Sequence, residues 1–182
     1  MPAFMTALAA YGRRHPDEAA TAAEFAELAQ SEGVDPYRRE RLEGHFTASA
    51  WLVSADGRRA LLTHHRKLDR WLQPGGHADG ERDLARAALR EAGEESGLPA
   101  LEVDPEPFDL DRHWIPQRGA EPGHWHYDVR FVVRATGSED FVVGEESHDL
   151  AWRNIDDIAD DPGCDASLRR MARKWLGRSG SL

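Results

Sequence analysis

Cysteine is nearly missing: Cys164 is the only one in 182 residues. No intrachain disulfide can form, so the chain stands apart from small secreted proteins built on bridges, and a reducing cytoplasm is the expected compartment. Long apolar runs are missing too, none approaching the roughly 20 residues that a membrane-spanning helix needs. The apolar residues from Phe4 to Ala10 have no basic leader and no long apolar core, and Arg13-Arg14 follow them directly, so neither a signal peptide nor a span is expected. Basic residues are in the minority, 23 Lys and Arg against 33 Asp and Glu. The resulting formal charge of -10 repels polyanions at long range and excludes a general nucleic-acid binder. Small phosphorylated ligands stay open, through metal ions or local basic patches. With no internal repeat and no low-complexity tract, what remains is a chain long enough to bury one core unaided.

The order of signals along the chain divides it into an arm and a body. A short helix near Thr6 to Tyr11 precedes Pro16-Asp17-Glu18, a helix start with acidic side chains at the positive end of the dipole. Ala22, Phe25, Ala26 and Ala29 then recur at helical spacing towards Gly33, and Asp35-Pro36 breaks the helix. Residues 1–43 are read as a helical arm packed on the main domain, residues 44–177 as that domain and residues 178–182 as a tail. Strand-like alternation runs from His45 to Val53, Asp56-Gly57 supplies a hairpin turn, and Ala60 to Thr63 returns. His64, His65, Arg66, Lys67 and Arg70 follow as a cationic group, read as a solvated loop or as phosphate contacts, with Arg66 the candidate.

Further on, Leu101 to Pro122 mixes strand-like pieces with Pro and Gly and reads as loops forming a pocket wall. Trp125 to Arg134 is a clear strand. Trp125, Tyr127, Val129, Phe131 and Val133 take one face, and His124, His126, Asp128 and Arg130 take a polar one. His124, His126 and Asp128 are therefore candidate substrate contacts, with ordinary surface or hydrogen-bonding roles as the alternative. Leu150 to Trp152 reads as a last strand, Ile155 and Ile158 as a helical turn, and Leu168, Met171, Ala172, Trp175 and Leu176 as the apolar stripe of a final helix stopped by Gly177.

Most of the chemistry lies between Trp71 and Leu98. Gln73-Pro74-Gly75-Gly76 forms a tight turn, and glycine there lets backbone groups approach a metal or phosphate closely. A helix capped by Asp83 and ended by Gly97 puts Leu84, Ala85, Ala88, Leu89 and Ala92 on one arc, and the small residues let it lie close to a sheet. Glu91, Glu94 and Glu95 share another arc, with Arg90 at ion-pair spacing from Glu94. Clustered carboxylates match hard cations, so magnesium is the expected ion and manganese the next. A solvated acidic face is the bland reading of the three glutamates alone.

The same residues resemble the signature box of the Nudix hydrolases: Gly, five residues, Glu, seven residues, Arg-Glu, aliphatic, any, Glu-Glu, any, Gly, aliphatic. Gly76, Arg90, Glu91, Ala92, Glu94, Glu95, Gly97 and Leu98 fall in register. One position departs, because Arg82 stands where the family has its first Glu, with Glu81 one residue early. On the sequence alone Glu81 swings into the role, the remaining carboxylates suffice, or Arg82 pairs with a carboxylate and weakens metal binding.

The resemblance implies an α+β fold, the Nudix αβα sandwich with a mixed sheet between helices. It implies a magnesium-dependent hydrolase that cleaves the phosphoanhydride of a nucleoside diphosphate linked to another group X. By similarity Glu94 and Glu95 would be metal ligands, the Gly75 carbonyl a further one, and Glu91 a ligand or the base, oriented by Arg90. Glu146, or its neighbour Glu145, lies in the region where many members place another Glu. A small nucleotide is the implied partner, and homodimers occur in the family. The main alternative is a nucleotide-sensing module that binds without turnover. An isomerase of the isopentenyl diphosphate type would use a core cysteine, and Cys164 lies too late, beside a Pro-Gly turn. A zinc hydrolase built from the histidines would start from His124 and His126, but no set shows a recognised ligand pattern in the sequence.

Overall fold

The computed structural model of the chain describes residues 2–66, 68–144 and 147–179. Its strands are β1 (Gly44–Val53), β2 (Arg59–His65), β3 (Arg70–Leu72), β4 (Gly75–His77), β5 (Leu101–Ile115), β6 (His124–Ala135) and β7 (Ser147–Asn154). They form one mixed sheet in the order β3-β2-β1-β6-β5, with β4 added to β1 and β7 to β2. Among the described residues only β1 and β6 pair in parallel, from Gly44 opposite Trp125 to Val53 opposite Arg134. Every residue of β1 is buried, as expected for a central strand covered on both faces. Its alternation of small or polar with apolar side chains therefore separates two buried faces rather than core from solvent.

The helices are α1 (Pro2–Arg14), α2 (Ala19–Gln30), α3 (Leu84–Ser96), α4 (Ile155–Asp160) and α5 (Ala166–Ser179). Ala50 and Leu52 of β1 pack with Ala92, Leu98 and Val133 on the α3 side. Trp51 and Val53, one residue out of phase, pack with Ile158, Leu168, Met171 and Ala172 of α4 and α5. The sheet thus lies between two helical layers, because each of its faces carries apolar residues that need a cover. The alanines of α3 leave little side chain between helix and sheet. Among the described residues, no helix is long and apolar enough to cross a membrane.

The two amino-terminal helices add to the α3 layer. Leu8 and Tyr11 of α1 and Phe25, Leu28 and Ala29 of α2 share a buried cluster with Phe46, Ala48, Leu84, Ala88 and Val129. Phe25 lies 6.2 Å from Phe46 and 5.2 Å from Tyr127, ring centre to ring centre. Burying an aromatic of this kind is worth roughly 1.5–3 kcal/mol, so the arm adds to the core it covers.

Two readings of local structure are revised. The interval from Leu101 to Pro122 is mostly a 15-residue strand, β5, rather than irregular loops. Pro105 and Pro107 hid it by breaking the alternation. Proline has no N–H for a ladder and is tolerated at a sheet edge or bulge, and the β5–β6 register shifts between Val103 and Pro107 and again before Asp109. The final helix does not stop at Gly177, since α5 continues to Ser179.

Candidate active site

The short strand β4 and the helix α3 meet at the residues that the sequence singled out. Asp83 begins α3, its side chain accepting from Arg86 N, and Gly97 ends it in the left-handed region at φ 66. Glu91, Glu94 and Glu95 therefore fall in its last two turns. On the sheet side, Ala50 N donates to Pro74 O at 2.9 Å and Ala78 N to Phe46 O at 3.4 Å. In an antiparallel ladder these pairs alternate, so the peptide groups of Gly75 and His77 face away from β1. They meet α3 instead: Gly75 N donates to Glu95 Oε1 at 2.8 Å, and His77 O accepts from Arg90 Nη2 at 3.2 Å. The Gly75 carbonyl is left outside the β1 ladder, where it can serve an ion.

Arg90 is the organiser of this junction. Its Nη1 lies 2.6 Å from Glu91 Oε1 and 3.3 Å from Glu94 Oε2 while Nη2 holds the His77 carbonyl. Glycine at position 76 lets the Glu91 carboxylate lie where it does, because a Cβ there would stand 2.5 Å from Glu91 Oε2. The Glu91 side chain is 15% exposed, and its carboxyl is pushed above the usual carboxylate range, first by burial and also by Glu94, with Arg90 opposing both. Among the described residues, three carboxylates gather around the Arg90 guanidinium beside a carbonyl, and every donor is oxygen. That donor set fits a hard divalent cation, for which Glu91, Glu94, Glu95 and the Gly75 carbonyl are the candidate holders.

The departure from the motif is resolved in an unexpected direction. Arg82 points to the arm: its Nη2 donates to Asp35 Oδ2 at 2.8 Å, and its guanidinium sits 5.0 Å from the Tyr37 ring centre. Glu81 does not swing towards the carboxylates. Its Oε1 accepts from Asp83 N at 3.0 Å, and it lies 3.8 Å from Arg86.

The remaining candidates separate. Arg66, just past β2, donates to Ser147 O at 3.3 Å at the β2–β7 pairing, two strands away from β6. Asp128 is buried and already spent: Thr47 Oγ1, Ser49 Oγ and Arg130 Nε donate to it at 2.8–2.9 Å. It anchors the interior rather than offering a free acceptor to substrate. His126 does lie with other polar groups, among His45, His77 and His124. Glu145 and Glu146 lie outside the described residues, as does Lys67.

A second polar centre lies where β5, β6 and α5 meet. Arg130, 3% exposed, reaches Asp109, Asp111 and Asp128 at 3.2, 3.2 and 2.8 Å. Arg170 and Lys174, one turn apart on α5, both reach Asp109, at 2.7 and 2.6 Å. Lys174 also lies 2.7 Å from Glu18, which accepts from the Tyr11 hydroxyl. Burial favours the neutral acid at Asp109, but Arg170, Arg130 and Lys174 more than reverse it, and its carboxyl is held below the usual range. The network ties β5 and β6 to α5 and to the arm. The four-residue spacing of Arg170 and Lys174 was the only sequence signal for it.

Known proteins resemble this chain in sequence and in fold. A putative 8-oxo-dGTP diphosphatase 3 of Mycobacterium tuberculosis is 31% identical over 139 residues, which cover 70% of this chain and 62% of that protein. The chain thus matches less than two thirds of that relative's length. A NUDIX-family hydrolase from Clostridium perfringens superposes with a TM-score of 0.59 at 23% identity, covering 74% of this chain and 97% of that one. A Nudix hydrolase from M. Smegmatis gives 0.52 at 25% identity, covering 76% and 89%. These likenesses agree with the αβα layering, and the NUDIX domain model matches residues 44–174, from the first residue of β1 well into α5. A match over that much of the chain, with the β4–α3 junction inside it, places this protein in the NUDIX family.

Proposed function

We propose that the chain is a magnesium-dependent hydrolase that cleaves the phosphoanhydride bond of a nucleoside diphosphate linked to a further group X. The observation that carries this reading is the Arg90 clamp, which holds Glu91 at 2.6 Å and the His77 carbonyl at 3.2 Å beside the Gly75–Glu95 contact. Glu94, Glu95 and the Gly75 carbonyl would hold the ion, and manganese would serve in place of magnesium. When bound, a hard divalent ion neutralises phosphate oxygens and lowers the pKa of water. The chain's own part is positional. Glu91, with its proton affinity raised by burial, accepts the proton of the attacking water. Arg90 keeps that carboxylate in one orientation. The water oxygen bonds to phosphorus, the bridging P–O bond breaks, and the departing phosphate takes the electron pair.

The Mycobacterium tuberculosis relative's name supports including an oxidised nucleoside triphosphate among the substrates tried. We take residues 44–177 as the catalytic domain and residues 1–43 as an arm that braces it. The single cysteine supports a reducing cytoplasm as the location. The test is release of phosphate or nucleotide, with magnesium or manganese present, from nucleoside triphosphates including 8-oxo-dGTP, dinucleoside polyphosphates, ADP-ribose, NADH and nucleotide sugars. Turnover of at least one supports the reading. Binding without turnover of any would instead mark a sensor module, with Arg82 as the residue that altered the site.

A further inference from the structure

We propose that His45, His77 and His126 form a second cation site, made of imidazole nitrogens and suited to a zinc-class divalent ion, separate from the carboxylates of α3. The three residues come from three strands that the sheet brings together. His45 on β1 stands opposite His126 on β6, and His77 on β4 stands opposite Thr47, two residues further along β1. One ring nitrogen from each lies within 4.8 Å of the others. Their ring centres form a near-equilateral triangle with sides of 5.1, 5.0 and 5.1 Å.

The protonation pattern supplies the lone pairs. His45 Nδ1 lies 3.1 Å from Arg41 O, and because a carbonyl can only accept, the ring proton is on Nδ1. Its Nε2 is then a bare lone pair. That atom is buried, in a residue 1% exposed, and has no hydrogen-bond partner. A buried acceptor without a donor is rare in folded proteins, and a metal ion is one natural partner for it. The arrangement is also the usual outer shell of a metal-bound histidine, whose second nitrogen donates to a backbone carbonyl.

His124 extends the pattern by one layer. Its Nδ1 lies 2.9 Å from Pro122 O, so its Nε2 accepts, and His126 Nε2 is the donor 3.1 Å away. His124 therefore orients His126 much as Arg41 orients His45.

Donor chemistry separates this site from the one on α3. Imidazole suits zinc and its late first-row neighbours, whereas magnesium prefers oxygen. Nitrogen ligands of a tetrahedral zinc stand roughly 3.3 Å apart, so a pair at the 4.8 Å limit has to close by about 1.5 Å. His77 and His126 are half-buried, whereas His45 is fully buried. His77 joins the two centres, since its ring faces this cluster while its carbonyl holds Arg90.

The test uses the whole chain, purified without a histidine tag and stripped with a chelator. Zinc is titrated against a chromophoric competitor in millimolar magnesium. The expected result is one zinc per chain, held at least about a hundredfold more weakly in His126→Ala and in His45→Gln and unchanged in Glu95→Gln. Cobalt(II) added to the wild type should give the visible bands of a tetrahedral nitrogen site, a readout that needs no variant to fold. No zinc uptake in magnesium, wild-type affinity in both histidine variants, a cobalt spectrum of octahedral type, or loss of zinc in Glu95→Gln would each overturn the proposal. Magnesium-dependent turnover is measured on the same samples, so the failure of one site is told apart from the failure of the other.

Discussion

Arg82 holds Asp35, its Nη2 donating to Oδ2 at 2.8 Å, so the residue that stands at the family's first Glu position braces the arm rather than the carboxylates of α3. Both side chains are partly exposed, at 54% and 27%, and exposed pairs are worth about 0–1 kcal/mol. Arg82→Glu should therefore lower the melting temperature by a few degrees through repulsion from Asp35. It should change kcat by less than about threefold, since no catalytic contact is lost. Thermal denaturation and steady-state kinetics of the variant check both.

Arg90→Lys separates charge from geometry. A lysine keeps the positive charge but cannot span Glu91, Glu94 and the His77 carbonyl from one planar fork. We expect kcat to fall about 10–100-fold with the melting temperature nearly unchanged, the usual scale for removing an orienting partner. A rate within twofold of wild type would show that Glu91 needs no such clamp.

Gly76→Ala should act on activity more than on folding. The added methyl meets the end of the Glu91 side chain, which can swing aside, rather than backbone. Displacing that carboxylate removes the proposed base, so kcat should drop about tenfold or more while the circular dichroism spectrum is kept.

The network around Asp109 carries the acid sensitivity. The carboxyls of both Asp109 and Asp111 are held below the usual range in the folded chain. Above about pH 5 both folded and unfolded states are ionised and the stabilisation is complete. As pH falls below that, the unfolded chain takes up protons first, binds more of them, and the folded state loses stability. Urea midpoints should thus be flat from pH 7 to 5 and fall steeply below pH 4. Asp109→Ala leaves Arg130, Arg170 and Lys174 without their shared partner and should cost about 3–5 kcal/mol.

What could be read from the sequence was what depends on local spacing. Asp83 and Gly97 bound α3 because a cap and a left-handed glycine act within one turn, and the motif fixed the register of Glu91, Glu94 and Glu95 on that helix. The strand β5 was hidden because Pro105 and Pro107 sit at bulges, where the two-residue period fails. The histidine group was hidden for another reason. His45, His77 and His126 are far apart in the chain, and only the register of β1 with β4 and β6 assembles them. Asp109, Arg130, Arg170 and Lys174 form a centre of the same kind, built by packing rather than by any run of residues. Asp128, read as a contact for substrate, is drawn inward by Thr47, Ser49 and Arg130.

The central claim is that the carboxylates of α3 hold the ion that makes this chain a phosphoanhydride hydrolase. Its most direct test is the magnesium dependence of turnover in wild type and Glu95→Gln, on whichever nucleotide of the panel is cleaved. The account predicts that wild type is inactive in EDTA and restored by magnesium. Glu95→Gln should lose at least about a hundredfold in kcat at saturating magnesium, while keeping its fold by circular dichroism. Wild-type rates in Glu95→Gln, or full activity in EDTA, would contradict it.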